Sequence, residues 1–281
     1  MLDEINEINK FRIFLDDVFD KPIHELNFTL SEDEADPTIE ELYSEIVKTC
    51  NEGRNIPDTI NKILSKYKKS SQDVLDCLSS HQDKPEYICV LALFHYYNVG
   101  VKNVEDMYQL FQSASSNENV IATFFVGKCF DEGLSVRRNK SKAIELYKKA
   151  EETGNCAAAG YALGSYYYKQ SKYNQAFGYL ERSARGNNMM ALNLLALCYQ
   201  KSFGTSINKV EAFKSFLQAA KMGLPESQYR LGKCYEFAEG AKRDLEQALH
   251  WYQKAMDNEY QCYNDLERVK IAKNQELELN R

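Results

Sequence analysis

Hydrophobic and polar positions along this chain repeat in blocks of about 36 residues, and each block places the same residue types in the same columns. Two copies show this plainly: VGKCFDEGLSVRRNKSKAIELYKKA from Val126 to Ala150, and LGKCYEFAEGAKRDLEQALHWYQKA from Leu231 to Ala255. A fixed period of this length predicts stacked two-helix units rather than one globular core. Ala143, Ala176, Ala212 and Ala248 mark the second helix of each unit, in steps of 33, 36 and 36 residues, and Met107 extends the series upstream. On the first helix a small residue falls at Gly127, Gly164, Ala196 and Gly232. Five places before it stand Ala122, Ala159, Ala191 and Ser227, and three places after it stand Phe130, Tyr167, Tyr199 and Tyr235.

Small side chains let two helices approach closely, and a neighbouring aromatic fills the groove towards the next unit. Glycine inside a helix costs about 1 kcal/mol relative to alanine, so its recurrence in one column implies that close packing offsets the loss. Between the paired helices run Gly133-Leu134-Ser135-Val136 before Asn139, Ser202-Phe203-Gly204-Thr205 before Asn208, and Ala238-Glu239-Gly240-Ala241 before Asp244. Glycine is expected to supply the left-handed residue that ends the first helix, and Asn or Asp to cap the second. Asn208 with Glu211, and Asp244 with Gln247, fit a capping box.

These residues resemble the Sel-1-like repeats, whose pattern has LG, an aromatic shortly after, a glycine-containing turn with a following Asp, and KA…WY.KAA. The resemblance covers about residues 85–260, as about five repeats of which four are clear. Lys169 to Lys172 lacks the glycine turn, Ala196 replaces glycine, and the unit from Glu86 to Asn117 keeps Tyr97 and Gly100-Val101 but has Asp106-Met107 for the KA pair. The tetratricopeptide repeat is the nearest rival, but the longer turn and the missing prolines favour the Sel-1-like reading. Either implies an all-α fold: an α-solenoid, a right-handed superhelix of antiparallel helix pairs.

Residues 1–80 hold 9 basic and 18 acidic side chains, residues 81–281 hold 26 and 23, and neither part is built to neutralise a phosphate backbone, so no nucleic-acid partner is expected. The opening Met1-Leu2-Asp3-Glu4 lacks the basic-then-apolar pattern of a secretory signal. The longest apolar run, Ile88 to Phe94, is far short of a membrane span, so no membrane insertion is expected. Cys129, Cys198 and Cys234 share one column, about 10 Å from unit to unit and beyond disulfide reach. Cysteine-rich bacterial relatives carry a second cysteine where Glu151, Lys221 and Met256 stand here. The thiols therefore read as packing residues in a reducing cytoplasm.

Residues 1–37 read as an acidic leader, with an amphipathic helix from Asn6 to Phe19 and an exposed linker from Ser31 to Pro37. Residues 38–84 read as a helical cap or degenerate repeat, with helices over Thr38 to Cys50, Pro57 to Lys68 and Ser71 to Ser79. Residues 261–281 read as a capping helix with Tyr263, Leu266, Val269 and Ile271 on or near one side.

His24, His81, His95 and His250 lie far apart, and no nucleotide-binding, metalloprotease, hydrolase or kinase motif occurs. No catalytic residue, cofactor or metal site is expected, and the reading is a non-enzymatic adaptor for protein partners. In related helical repeats the position after the small residue, and the one three later, face the concave groove. Here these are Lys128 and Asp131, Ser165 and Tyr168, Leu197 and Gln200, Lys233 and Glu236. Lys128/Asp131 and Lys233/Glu236 could equally be exposed intrahelical ion pairs. Tyr168 and Leu197, costly to leave bare, make the centre the favoured contact. The family's members act as lumenal adaptors of ubiquitin ligases and activators of chitin synthase, and bacterial ones engage host proteins. The alternative expectation is therefore a regulatory module associated with a protein kinase, or an activator of a membrane enzyme such as chitin synthase.

Overall fold

Each glycine of the first-helix column has a large side chain of the partner helix pressed against it. In the computed structural model, which describes residues 36–100 and 107–279, a Cβ on Gly127 would fall 2.8 Å from the Tyr147 ring. On Gly164 it would fall 2.7 Å from Leu180, and on Gly232 2.7 Å from the Tyr252 ring. Ala196 fills the same column opposite Phe216, and Ala143, Ala176, Ala212 and Ala248 are all buried. The small-residue columns are thus the contact seams that the periodicity predicts.

The described residues form fourteen helices and no strand. Three come first: α1 (Pro37–Glu52), α2 (Ile56–Tyr67) and α3 (Ser71–Ser80). Five antiparallel pairs follow: α4 (Pro85–Tyr96) with α5 (Met107–Ser116), α6 (Val120–Glu132) with α7 (Lys140–Gly154), α8 (Ala157–Lys169) with α9 (Tyr173–Arg185), α10 (Met189–Lys201) with α11 (Lys209–Lys221), and α12 (Pro225–Glu236) with α13 (Leu245–Asp257). A single helix, α14 (Tyr263–Leu279), ends the stack. Each helix packs on its pair mate and on the next unit, giving an α-solenoid. The leader helix over residues 6–19, most of the linker, and Val101 and Asp106 of the first unit lie outside the described residues.

The turns differ from the sequence expectation in two respects. Each long turn has two left-handed positions, the first at Gly133, Ser202 and Ala238 and the second at Ser135, Gly204 and Gly240. Glycine therefore ends the first helix only at Gly133; in the next two long turns it occupies the second position. The reason is steric. A Cβ on Gly204 would sit 2.2 Å from the Tyr173 carbonyl oxygen, and one on Gly240 2.0 Å from that of Lys209. Each of these turns rests on the start of the preceding unit's second helix. The capping boxes form by half: Asn208 accepts from the Glu211 amide, and Asp244 from those of Glu246 and Gln247. The Glu211 carboxylate binds Lys214 instead, at 2.7 Å.

Asp36 and Pro37, expected at the end of an exposed linker, cap and open α1. The Asp36 side chain accepts from the Thr38 amide at 2.8 Å and holds the Lys69 ammonium. Burial alone would raise its carboxyl, but these two partners hold it below the ordinary value of 3.8. The thiols of Cys129, Cys198 and Cys234 are buried and free, and burial pushes them up to about 12, 11 and 12, which suits inert packing residues. In α14, Leu266 and Val269 are buried, whereas Tyr263 and Ile271 are exposed.

Candidate docking surface

Helix α1 determines how much of the first-helix layer can meet a partner. It crosses the N-terminal ends of four successive first helices, holding one polar contact to each. The Asp36 amide donates to the Tyr87 hydroxyl at 3.1 Å. Asn119 Nδ2 donates to the Tyr43 hydroxyl, the Ala157 amide to Asn51 Oδ1, and Asn188 Nδ2 to the Asn51 carbonyl, each at 2.9 Å. From Asp36 to Tyr43 to Asn51 is seven or eight residues, about 11 Å of helix, close to the spacing of neighbouring packed helices. The apolar stripe Ile39, Leu42 and Ile46 is wholly buried, and α1 packs on α2, α4 and α8.

Asn119 and Asn188 each do two things. Their Oδ1 atoms cap α6 and α10 by accepting from the Ala122 and Ala191 amides, and their amide nitrogens hold α1. Asn188→Asp keeps the cap but turns a donor to the Asn51 carbonyl into a negative charge. A loss of about 1–3 kcal/mol is expected, read by urea unfolding, against a few tenths for Asn187→Asp on the exposed neighbour.

Burial along the array follows from this cover. In α4 eight of twelve residues are buried and in α6 nine of thirteen, while α10 and α12 have six of thirteen and six of twelve. The long apolar run Ile88 to Phe94 is explained here: a helix that is hydrophobic all round is one enclosed on every side.

The eight residues expected in the groove separate accordingly. Lys128 is mostly covered, its side chain 28% exposed, with the Tyr96 ring 5.3 Å away and Tyr97 and Cys50 of α1 among its electrostatic neighbours. Burial would lower its ammonium, yet Glu132 and these neighbours raise it. It pairs with Glu132 at 3.4 Å, not with Asp131. Asp131 accepts from Lys140 at 2.6 Å and from the Tyr147 hydroxyl at 3.4 Å. Glu236 likewise serves the interior: the Tyr252 hydroxyl donates to it at 2.7 Å, and Arg268 of α14 donates twice at 2.9 Å. Both intrahelical ion pairs expected from sequence are therefore absent.

Ser165, Tyr168, Leu197, Gln200 and Lys233 remain partly exposed. Tyr168 stands edge-on to the Tyr173 and Phe203 rings, at 5.7 and 5.8 Å. Gln200 donates to Glu239 at 2.8 Å, and Lys233 lies 5.7 Å over the Tyr229 ring. Sequence columns missed Tyr161, Glu226 and Arg230, which join this face. Arg230 grips Glu226 at 2.6 Å, and both are electrostatic neighbours of Tyr168, whose phenol is raised by burial. Tyr161 bonds Ser165 and is also close to Glu226. The missed signal was lateral: Tyr161 and Arg230 sit one turn, and Glu226 two turns, before the two positions per helix that were read.

Among the described residues no cluster of His, Cys, Asp and Glu could hold a metal ion, and no helix is long and apolar enough to cross a membrane. Of the two best-formed clefts, the larger is about 220 Å³, beside α1; small-molecule sites run from about 300 Å³ upward.

Comparison with known proteins agrees with this architecture. The Sel1 repeat family matches four consecutive segments, residues 120–155, 156–188, 190–224 and 225–260. The chitin synthase regulator SKT5 of Saccharomyces cerevisiae is 32% identical over 158 residues, 52% of this chain and 22% of that protein. Chitin synthase regulatory factor 3 of Schizosaccharomyces pombe is 25% identical over 191 residues, 63% of this chain and 20% of that protein. The chain thus spans less than a quarter of the length of these curated relatives. The crystal structure of a Sel1 repeat protein from Oxalobacter formigenes superimposes with a TM-score of 0.60 at 25% identity, covering 69% of this chain and 80% of that one.

Proposed function

The chain belongs to the Sel1 repeat family, and on that premise we propose that it is a non-catalytic scaffold whose docking site is the concave face of α8, α10 and α12. The observation that carries this reading is the uneven cover of the first helices. Helix α1 closes the face over the early units and leaves Tyr161, Tyr168, Leu197 and Arg230 partly open over the later ones. Tyrosine and arginine on a rigid helical platform lose little entropy on binding and dominate interface energies. Ser165, Gln200 and Lys233 form the polar surround of this site, whereas Lys128, Asp131 and Glu236 take no direct part.

The names of the two fungal relatives favour one partner class, a membrane-bound synthase regulated through a protein contact. The test is recovery of a chitin synthase of the source organism by the full chain and by variants. Tyr168→Ala and Leu197→Asp are expected to weaken recovery about 30-fold or more, while Lys142→Glu on α7 leaves it unchanged. Recovery equal for all four proteins would refute the site; no recovery by the unaltered chain would refute the partner class.

A further inference from the structure

We propose that the edge formed by the turns between paired helices is a docking surface for an anionic lipid bilayer. This rests on none of the concave-face residues, so either reading can fail alone. Of the six large apolar side chains exposed among the described residues, four stand on this edge: Ile207 at 62%, Phe237 at 55%, Val210 at 51% and Leu134 at 36%. None supports the seams between helices.

The same edge carries Arg137, Arg138, Lys169, Lys172, Lys201 and Lys242, all exposed, and none of their side chains has an ion-pair or hydrogen-bond partner among the described residues. Three other cations there are engaged: Lys140 with Asp131, Lys209 with Glu239, and Arg243 with Glu276. The acids of the edge are thus already paired or capping a helix, and the surplus is positive.

Successive turns also touch. Gly204 rests on the Tyr173 backbone and Gly240 on that of Lys209, and Phe203 stacks on Tyr173 at 4.1 Å. The apolar tips and free cations of the last three of these turns therefore lie along one connected row, and Lys140, beside the turn of Leu134, Arg137 and Arg138, lies 5.5 Å over the Tyr166 ring of α8. The apolar tips stand on three separate turns, Ile207 and Val210 together on one of them, and the two clefts lie elsewhere. A folded protein partner needs continuous relief to match, whereas a bilayer interface accepts separate wedges between basic side chains.

The experiment is co-sedimentation of the full chain with phosphatidylcholine vesicles, with and without phosphatidylserine. Binding is expected only with phosphatidylserine and is expected to fall as salt rises. Arg137→Gln/Arg138→Gln should weaken it about 30-fold, and Ile207→Ser/Val210→Ser about tenfold; both pairs are exposed, and circular dichroism checks their folding. Absence of binding to phosphatidylserine vesicles would overturn the proposal. So would binding that ignores Ile207→Ser/Val210→Ser and is displaced by polyglutamate, the behaviour of a site for an acidic protein.

Discussion

Gly240→Ala is expected to lower stability by about 3 kcal/mol or more. The residue has φ +79°, and its new Cβ would lie 2.0 Å from the Lys209 carbonyl oxygen and 2.6 Å from the carbonyl carbon. A left-handed residue with a side chain costs about 1–2 kcal/mol, and overpacking adds about 1–3; backbone cannot rotate away as a flexible side chain can. Gly223→Ala isolates the first contribution, since Gly223 has φ +100° with nothing within 4 Å of its Cβ position. It should lose only about 1–2 kcal/mol. Urea unfolding of both variants separates the two effects, and equal losses would mean that the turn does not rest on the preceding helix. Because α12 and α13 hold α14 through Glu236 and Arg268, the Gly240 variant should also release the end of the stack before the rest.

Ile46→Ala is expected to lose about 2–5 kcal/mol, because Ile46 is fully buried in the core that α1 shares with the early units. The same reasoning predicts that a fragment of residues 85–281 aggregates. Without α1, the apolar run Ile88 to Phe94 would lose its cover, and an exposed patch of this kind is an aggregation liability. Size-exclusion chromatography of the fragment beside the full chain reads the outcome; a monodisperse fragment would show α1 to be an accessory of the array.

The repeat was legible in the sequence because its signal is local. Glycine at 127, 164 and 232 and alanine at 143, 176, 212 and 248 report helix contacts within a unit or with its neighbour, and each unit repeats the message. Contacts that occur once are silent in a periodic reading. Helix α1 touches Tyr87, Asn119, Ala157 and Asn188, 51 to 137 residues away, and nothing in its own pattern names them. One clue lay in the repeat itself, since Ile88 to Phe94 is too apolar for a helix with one face open to water.

The interior partners of Asp131 and Glu236 went unread for a similar reason. Each stands 16 residues before a tyrosine of its own second helix, Tyr147 and Tyr252, and accepts from its hydroxyl. Where the second helix has Leu180 or Phe216 instead, the column holds Tyr168 or Gln200. The covariation within one chain separates internal acids from open positions, and reading single columns conceals it. Gly204 and Gly240 were misassigned because sequence marks that a turn needs positive φ, whereas the choice of position depends on what the turn rests against.

Peptide-resolved hydrogen exchange on the free full chain tests most directly the claim that α1 is a fixed cover over half of the first-helix face. Amides of residues 39–52 should exchange as slowly as those of α6, because opening α1 would strip the shared core. Exchange of those amides within seconds, while α6 stays protected, would contradict it and leave the whole face open.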